Sequence, residues 1–261
     1  MILDRIAAFT QSRLARLKTL IPPEEMKKKA SRSAGAVPFR FENALRGGDI
    51  SFICEVKKAS PSKGLIAEDF PYLEIAKEYE AAGASAVSVL TEPEYFQGSD
   101  RYLYEIRQAI GIPVLRKDFT IDEYQIYEAR TLGADAVLLI CALLDTQTLK
   151  RYIDICDSLG LSALVEAHTE EEIHSALQAG ARVIGVNNRN LQTFEVDLNT
   201  GIRLRGLVPK DKIFVAESGI STARDIELLR QAKVNAALIG ETLMRSKEKE
   251  AALNRLRGLE A

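Results

Sequence analysis

Short apolar runs alternate with amphipathic stretches along most of this chain. The runs are rich in Val, Ile and Leu and stay apolar until their final residues, which is typical of parallel strands buried on both faces. The stretches between them carry apolar side chains at helical spacing. The pattern predicts strands at 51–57, 86–91, 113–118, 136–141, 162–167, 183–188, 212–217 and 236–240. It predicts helices after them at 71–82, 99–110, 122–132, 145–159, 169–179, 197–207, 221–232 and 247–258.

Glycines mark the ends of these helices, and small residues then lead into the next strand. Gly83, Gly133 and Gly180 are each followed by Ala, a repeated stop-and-turn signal. Asp122 is a predicted N-cap, and Thr169 with Glu172 predicts a capping box. Eight strand–helix units favour an α/β fold of the (β/α)8 TIM-barrel type. An open doubly wound sheet is the alternative, but the chain lacks a G-x-G-x-x-G turn.

The first 50 residues fall outside the eightfold repeat. Ile2, Ile6, Phe9, Leu14 and Leu17 have nearly helical spacing, and Pro22-Pro23 predicts the start of a second helix. We therefore expect one barrel domain over 1–261, with a helical extension at 1–50 that packs across one end of the barrel at 51–261.

Composition narrows the class of protein. The net charge is −2 and 46% of the 261 residues are hydrophobic, so a core is expected and a basic surface for nucleic acid is not. Three cysteines without metal-like spacing, and a start unlike a signal peptide, predict a cytoplasmic protein with reduced thiols. No apolar run reaches the roughly 18 residues of a membrane span. A monomer is expected, with an oligomer left open.

Charged side chains stand where several predicted strands end. Glu55 and Lys57 end the first strand, Lys117 the third, Glu166 the fifth and Glu217 the seventh. In a (β/α)8 barrel these ends meet at the face that holds the active site. Two partly buried lysines that repel one another predict a lowered ammonium pKa and a role in proton transfer. The alternative is a structural ion pair between Glu55 and Lys57.

Further candidates follow the last three strands. Asn187 and Arg189 offer donors for a hydroxyl or a carboxylate after the sixth strand. The loops after strands seven and eight are rich in small residues, and helix starts follow them directly, which favours a phosphate site. Glycines that only form turns are the alternative. His168 and His174 have no partner at nucleophile or metal spacing and are expected to be structural or exposed.

The motifs at these positions resemble those of the indole-3-glycerol phosphate synthases. The similarity extends over essentially the whole chain, including the extension, and is carried by the segments 55–64, 90–99, 115–119, 164–166, 185–191, 215–220 and 238–241. The resemblance implies that Lys117 is the general acid, Glu166 the general base and Lys57 a second catalytic lysine. Glu55, Asn187 and Glu217 are implied as their polar partners.

The resemblance also implies a set of substrate-binding residues: Ser60, Phe96, Phe119, Arg189, Leu191, Ser218, Gly219, Gly240 and Glu241. Because the chain has no Trp, the aromatic contact is expected from Phe96 and Phe119. Some relatives carry Ser where this chain has Glu241, so only the backbone N–H of Glu241 is expected to face a phosphate.

The implied reaction converts 1-(2-carboxyphenylamino)-1-deoxyribulose 5-phosphate to indole-3-glycerol phosphate, with loss of CO₂ and water. It implies no metal and no organic cofactor, and its partner is a small phosphorylated molecule. Three alternatives stay open on the residues alone. They are a Schiff-base aldolase with Lys117 or Lys57 as nucleophile, a sugar-phosphate isomerase, and a barrel that only binds phosphates or serves as an assembly partner.

Overall fold

Eight parallel strands form a closed barrel in the computed structural model, which describes residues 2–33, 37–191 and 193–259. Each strand pairs with the next along the chain, and the last pairs with the first, from Ser51 opposite Ala236 to Cys54 opposite Ile239. The (β/α)8 fold is confirmed. The strands are β1 Ser51–Val56, β2 Ala86–Leu90, β3 Val114–Lys117, β4 Ala136–Ile140, β5 Ser162–Ala167, β6 Val183–Asn187, β7 Ile213–Glu217 and β8 Ala236–Ile239.

Helices precede the barrel and follow each of its strands. Three precede it: α1 Ile2–Leu20, α2 Pro23–Arg32 and α3 Arg40–Ala44. The others are α4 Tyr72–Ala81, α5 Asp100–Ala109, α6 Glu123–Thr131, α7 Thr146–Ser158, α8 Glu170–Gln178, α9 Leu198–Arg205, α10 Ala223–Gln231, α11 Glu241–Arg245 and α12 Lys249–Arg257. Among the described residues, no helix is both long and apolar enough to cross a membrane.

Local signals in the sequence account for the helix ends. Asp122 caps α6 by accepting the Tyr124 N–H, as predicted. Gly133 and Gly180 both have φ of 88°, a left-handed conformation in which a side chain would be strained. The capping box at Thr169 is only half correct. Thr169 accepts the Glu172 N–H, but the Glu172 carboxylate accepts the His168 N–H instead of the Thr169 N–H.

Two apolar layers build the barrel. Side chains that point outward from the strands pack under the surrounding helices, and those that point inward fill the barrel interior. Phe41 and Leu45, in and just after α3, are almost fully buried within this inner layer together with Ala136, Val183 and Ile213, the first residues of β4, β6 and β7. The short helix α3 therefore closes the N-terminal end of the barrel.

The N-terminal extension reaches both ends of the barrel. Whereas α3 lies at the bottom, Ile2, Leu3 and Ile6 of α1 lie at the opposite face, beside the ends of the strands. The expectation that the extension covers one end was therefore incomplete. The reason is α2, which packs along α6: Lys27 contacts Glu123 at the start of α6, and the Ser33 carbonyl accepts from Arg130 near the end of that helix.

Candidate active site

A cavity of about 790 Å³ opens at the carboxyl ends of the strands. Every site residue named from the sequence lines it, and the set is Glu55, Lys57, Ser60, Phe96, Lys117, Phe119, Glu166, Asn187, Arg189, Leu191, Glu217, Ser218, Gly219, Gly240 and Glu241. Its volume suits a small organic molecule. The parallel strands bring these side chains together because all of their carboxyl ends face the same way.

Lys117 lies at the floor of this cavity, between carboxylates from two other strands. Its Nζ is 3.6 Å from Glu166 Oε2 and 3.6 Å from Glu217 Oε2. Burial opposes the ammonium charge, but Glu217, Glu166 and Glu55 outweigh it and raise the pKa of Lys117. The prediction of a lowered lysine pKa was wrong for Lys117, because it considered repulsion by a second lysine and not the carboxylates on either side.

Glu55 and Lys57 form the second charged pair, two residues apart at the end of β1. Lys57 Nζ lies 2.5 Å from Glu55 Oε1. Glu55 is nearly fully buried, and although burial raises its pKa, the charges of Lys57 and Lys117 lower the pKa below its ordinary value. A Cβ on Gly240 would overlap Glu55 Oε1 and lie 2.9 Å from Lys57 Nζ. Lys57 is therefore next to the loop that follows β8.

Glu166 is held by two neighbours on one oxygen atom. Asn187 Nδ2 donates to Oε1 over 3.2 Å, and His168 Nε2 lies 3.3 Å from the same oxygen. Burial raises the pKa of Glu166, but Lys117, His168 and Asn187 together lower it to about 2. The carboxylate is thus ionised at neutral pH, and its other oxygen faces Lys117.

His168 is a residue that the sequence reasoning missed. It was expected to be structural or exposed, yet its ring lies between Glu166 and Glu172 and only 15% of its side chain is accessible. The signal was its position two residues after the strand-end Glu166, which places both side chains on the same side of the extended chain. His174, in contrast, is exposed on α8, as expected.

Glu217 differs from the other two carboxylates because its proton is retained at higher pH. Burial raises its pKa, Lys117 lowers it, and Glu166 and Glu55 raise it again, to about 8. Its Oε1 has no hydrogen-bond partner within the described ranges. A Cβ on Gly185 would overlap this oxygen, so the glycine in β6 provides the space that Glu217 occupies.

The loops after β7 and β8 form one end of the cavity. Ser218 and Gly219 both have left-handed backbone angles, with φ of 67° and 79°. Gly240 precedes α11, whose first N–H groups have no side-chain cap. The Glu241 carboxylate binds Lys63 Nζ at 3.4 Å and Arg245 Nε at 3.1 Å. These two cations partly neutralise its charge at this end of the cavity.

Aromatic side chains form a different part of the cavity wall. The rings of Phe96 and Phe119 are 5.9 Å apart, and the apolar side chains from the start of α1 line the same cavity. Glu92, also missed from the sequence, is buried and accepts the backbone N–H groups of Glu94, Tyr95 and Phe96. Its carboxylate therefore fixes the loop that presents Phe96.

The loop after β6 contributes Arg189 and Leu191. The Arg189 N–H donates to Asn187 Oδ1, and its guanidinium donates to the Phe194 carbonyl at 3.0 Å. Asn188 is turned away and holds the backbone instead, since it donates to the Ser218 carbonyl and accepts the Gly201 N–H. This agrees with its expected role in the turn.

The family-model comparison covers almost the entire chain. The model described as indole-3-glycerol phosphate synthase matches residues 3–256. The chain belongs to the indole-3-glycerol phosphate synthase family. It is therefore an enzyme, a carbon–carbon lyase of the tryptophan pathway.

Individual relatives agree with this assignment. The chain is 62% identical to the indole-3-glycerol phosphate synthase of Ruminiclostridium cellulolyticum, over 99% of each chain. It is 58% identical to that of Endomicrobium trichonymphae, over 94% of this chain and 95% of the relative. A family member of this similarity is not a barrel that merely binds phosphates.

Solved structures of lower similarity share the fold. A 3-hexulose-6-phosphate synthase superposes with a TM-score of 0.63 at 16% identity, covering 81% of this chain and all of that chain. A KGPDC from Streptococcus mutans gives 0.62 at 13% identity, over 80% and 96%. At such identities the likeness supports the barrel architecture alone.

Proposed function

We propose that this enzyme closes 1-(2-carboxyphenylamino)-1-deoxy-D-ribulose 5-phosphate to indole-3-glycerol phosphate, with Lys117 as general acid and Glu166 as general base. The observation that carries the proposal is the contact between Lys117 and Glu166, 3.6 Å apart at the cavity floor. One is a charged ammonium and the other an ionised carboxylate, which are the two protonation states that an acid and a base require.

The first step is ring closure. Lys117 donates its proton to the ketone oxygen while the ring carbon that bears the carboxylate attacks the ketone carbon. The bond to the carboxylate then breaks, CO₂ leaves, and its bonding electrons restore the aromatic ring. Glu166 and Glu55 are ionised at neutral pH and keep Lys117 protonated before this step, so the acid is ready when the substrate binds.

Dehydration follows and needs the opposite proton movement. Glu166 takes a proton from the ring nitrogen or the adjacent ring carbon, and an acid protonates the departing hydroxyl. We assign this second acid role to Lys57, and its position in the same cavity beside Gly240 supports the assignment. Two protons reach oxygen and one leaves the substrate, so each turnover consumes one proton from water, which balances the loss of a carboxylate as CO₂.

Loss of the Lys117 proton in the first step also makes Glu166 a stronger base for the second. With the ammonium 3.6 Å away, Glu166 has a pKa of about 2 and is a weak base. Once Lys117 has given up its proton, that neighbouring charge is gone and the pKa of Glu166 rises. The carboxylate is thus a stronger base in the second step than in the first, which suits a reaction with two proton transfers in a fixed order.

The two ends of the cavity fit the two ends of this substrate. Ser60, Ser218, Gly219, Gly240 and the Glu241 backbone N–H are proposed to surround the phosphate, close to the positive charge of Lys57. Phe96, Phe119 and Leu191 are proposed to contact the carboxyphenyl ring, and Arg189 to bind a substrate oxygen. The small polar loops follow β7 and β8, whereas Phe96 and Phe119 follow β2 and β3 elsewhere around the closed barrel, and this separation supports the orientation.

The test supplies the purified enzyme with the carboxyphenylamino-deoxyribulose phosphate and follows indole fluorescence and CO₂ release together. We expect both products in equal amounts. An isomerase would release no CO₂, and a Schiff-base aldolase would form an adduct that borohydride traps on Lys117 or Lys57. Absence of the indole product would overturn the proposal.

A second experiment tests the base. Glu166→Gln keeps the shape of the side chain but cannot accept a proton, so we expect near-normal KM and a kcat lower by about 10²–10⁴-fold. The pH–rate profile should lose one limb. If KM rose as much as kcat fell and the profile stayed intact, Glu166 would be a binding residue instead.

A further inference from the structure

His168 lies between two carboxylates at the rim of the site. Its Nε2 is 3.3 Å from Glu166 Oε1, an ion-pair contact that is not aligned as a hydrogen bond, and its Nδ1 is 3.1 Å from Glu172 Oε2. The Glu172 side chain belongs to the first turn of α8, whereas Glu166 belongs to β5. The imidazole thus connects a helix start to the candidate base.

Glu172 contacts both the backbone and the ring of His168. Its Oε2 accepts the backbone N–H of His168 at 2.6 Å as well as contacting Nδ1, so one oxygen fixes both the main chain and the side chain. A Glu at this position of a helix would ordinarily accept the N–H of the capping residue, here Thr169. In this chain the carboxylate reaches one residue further back, to His168.

The two oxygens of Glu166 are therefore in different surroundings. Oε1 is occupied by Asn187 and His168, and Oε2 faces the Lys117 ammonium in the cavity. Two partners on Oε1 fix the rotation of the carboxylate, which leaves Oε2 to meet the substrate. Fixed orientation of a base is a large part of its effect on rate.

The imidazole carries a positive charge in this environment. Burial lowers its pKa, but Glu166 and Glu172 outweigh burial and raise the pKa of His168 to about 10. Among the described residues, Glu217, Lys117 and Cys141 are further charged or titratable groups in this part of the site. Cys141 donates its thiol to the Glu172 carbonyl and stays neutral because burial raises its pKa to about 12.

We propose that His168 is a positioning residue for Glu166. Held by Glu172, its imidazolium fixes the Glu166 carboxylate through Oε1 and keeps it ionised, so that Oε2 is free to accept the substrate proton. This inference rests on the proposed role of Glu166 as general base. It assigns to His168 and Glu172 a function in catalysis without contact to the substrate.

The test uses His168→Gln, which retains a hydrogen-bond donor and loses the charge, and Glu172→Gln, which loosens the ring. In each variant we expect kcat to fall about tenfold or more, which is less than the roughly 10²–10⁴-fold loss expected when the base itself is removed. KM should stay within about twofold of the value for the unsubstituted enzyme. Without the cation Glu166 binds protons more readily, so the acid limb of the pH–rate profile should move to higher pH. His174→Gln and Glu171→Gln, exposed positions on the same helix, are the matched controls.

A double variant separates positioning from a merely structural role. If His168 acts through Glu166, then adding His168→Gln to Glu166→Gln should cause no further loss of kcat. An additional loss as large as that of the single variant would overturn the inference. The inference about His168 would also be overturned, with the role of Glu166 intact, if His168→Gln kept the wild-type kcat and pH profile while Glu166→Gln was inactive. Normal turnover in Glu166→Gln would instead overturn the proposed role of Glu166 as general base.

A measurement on the unsubstituted enzyme does not depend on the folding of any His168 variant. The chain has two histidines, so imidazole ¹⁵N NMR gives two sets of signals, and His174→Gln assigns them. We expect His168 to remain protonated beyond pH 8 and to titrate at lower pH in Glu166→Gln. A neutral His168 at pH 7 would contradict the proposal.

Discussion

Lys117 is kept as an ammonium by carboxylates from separate strands. Glu166 of β5 and Glu55 of β1 are ionised at neutral pH and favour the charged lysine, and Glu217 of β7 adds to this effect once it has lost its proton, above about pH 8. The sequence predicted the type and position of these side chains, since each follows an apolar run. It did not predict the pKa of the lysine or the contact of His168, because both depend on distances between strands that are far apart in sequence.

Removal of the Lys117 charge should abolish the first proton transfer. We expect Lys117→Met to lower kcat by about 10²–10⁴-fold while substrate binding changes little, since methionine fills a similar space without an acid. Steady-state kinetics and a binding titration measure the two effects. Lys150→Met, on the exposed face of α7, is the control. Near-normal turnover in Lys117→Met would rule out its role as general acid.

Because Glu217 retains its proton in the folded protein, we expect it to make the folding stability depend on pH. The folded protein holds this proton up to about pH 8, whereas a glutamate in the unfolded chain releases it near its ordinary value of 4.5. Between these values the folded state binds more protons, so the contribution of Glu217 to stability falls as pH rises. Glu217→Gln mimics the protonated form and should remove this dependence of stability on pH.

Thermal unfolding between about pH 5 and pH 9 tests this. We expect the Tm of Glu217→Gln to gain on that of the unsubstituted protein as pH rises, while the exposed Glu250→Gln follows the unsubstituted protein. A constant difference in Tm across the range would mean that Glu217 is ionised at neutral pH.

At the scale of secondary-structure elements, neighbouring strands and loops leave the space that the strand-end carboxylates occupy. Glycines in β6 and directly after β8 leave space for them, because a Cβ on Gly185 would overlap Glu217 and a Cβ on Gly240 would overlap Glu55. Gly240→Val therefore disturbs the Glu55–Lys57 pair as well as the proposed phosphate loop. We therefore expect Gly240→Val to raise KM and to lower kcat as well.

Gly185→Ala tests this accommodation more directly. Its Cβ would overlap Glu217 Oε1 and lie 3.1 Å from Leu164 Cδ1, so we expect a loss of about 1–3 kcal/mol from overpacking and a kcat lower by about tenfold, since Lys117 shifts with Glu217. Gly48→Ala, whose Cβ meets nothing within 4 Å, is the control. In a Glu217→Ala background the same change should cost much less stability, and an unchanged cost would contradict the model of a shared space.

Strand and helix positions in the barrel were predictable to within about two residues, because periodicity, caps and terminal glycines are local signals. Three short elements were not predicted from the sequence. They are α3 and α11, with five residues each, and the hairpin that pairs Ala59–Ser60 with Gly64–Leu65. Such segments are too short for a period to be recognised, and α3 and α11 pack against barrel strands that are distant from them in sequence.

At the scale of the whole molecule, the N-terminal extension is joined to the active-site face through buried charge. Arg13 of α1 lies 2.8 Å from Asp118, the residue that follows Lys117, and Asp118 also accepts the Thr91 hydroxyl and the Phe119 N–H. The sequence predicted a helix here but not this contact, because an arginine on an amphipathic helix ordinarily faces water. The ion pair links α1 to the end of β3.

Arg13→Met should therefore destabilise the protein. Asp118 would retain Thr91 and Arg116, the latter at 3.6 Å, so we expect about 1–3 kcal/mol, less than the roughly 3–5 kcal/mol for an uncompensated buried charge. Burial raises the pKa of Asp118, but Arg13 and Arg116 outweigh it and lower the pKa below 3.8. The stabilisation by Arg13 is thus present above about pH 4 and lost as pH falls through the folded-state pKa.

Chemical denaturation of Arg13→Met and of the unsubstituted protein, at neutral pH and at the lowest pH where both fold, measures this difference. The gap in unfolding free energy should narrow in acid, because a protonated Asp118 no longer needs its partner. Arg16→Met, on the exposed face of the same helix, controls for the loss of a positive charge from α1. Equal stability of Arg13→Met and Arg16→Met at neutral pH would show that hydrophobic packing of α1, and not this ion pair, holds the extension at the mouth of the barrel.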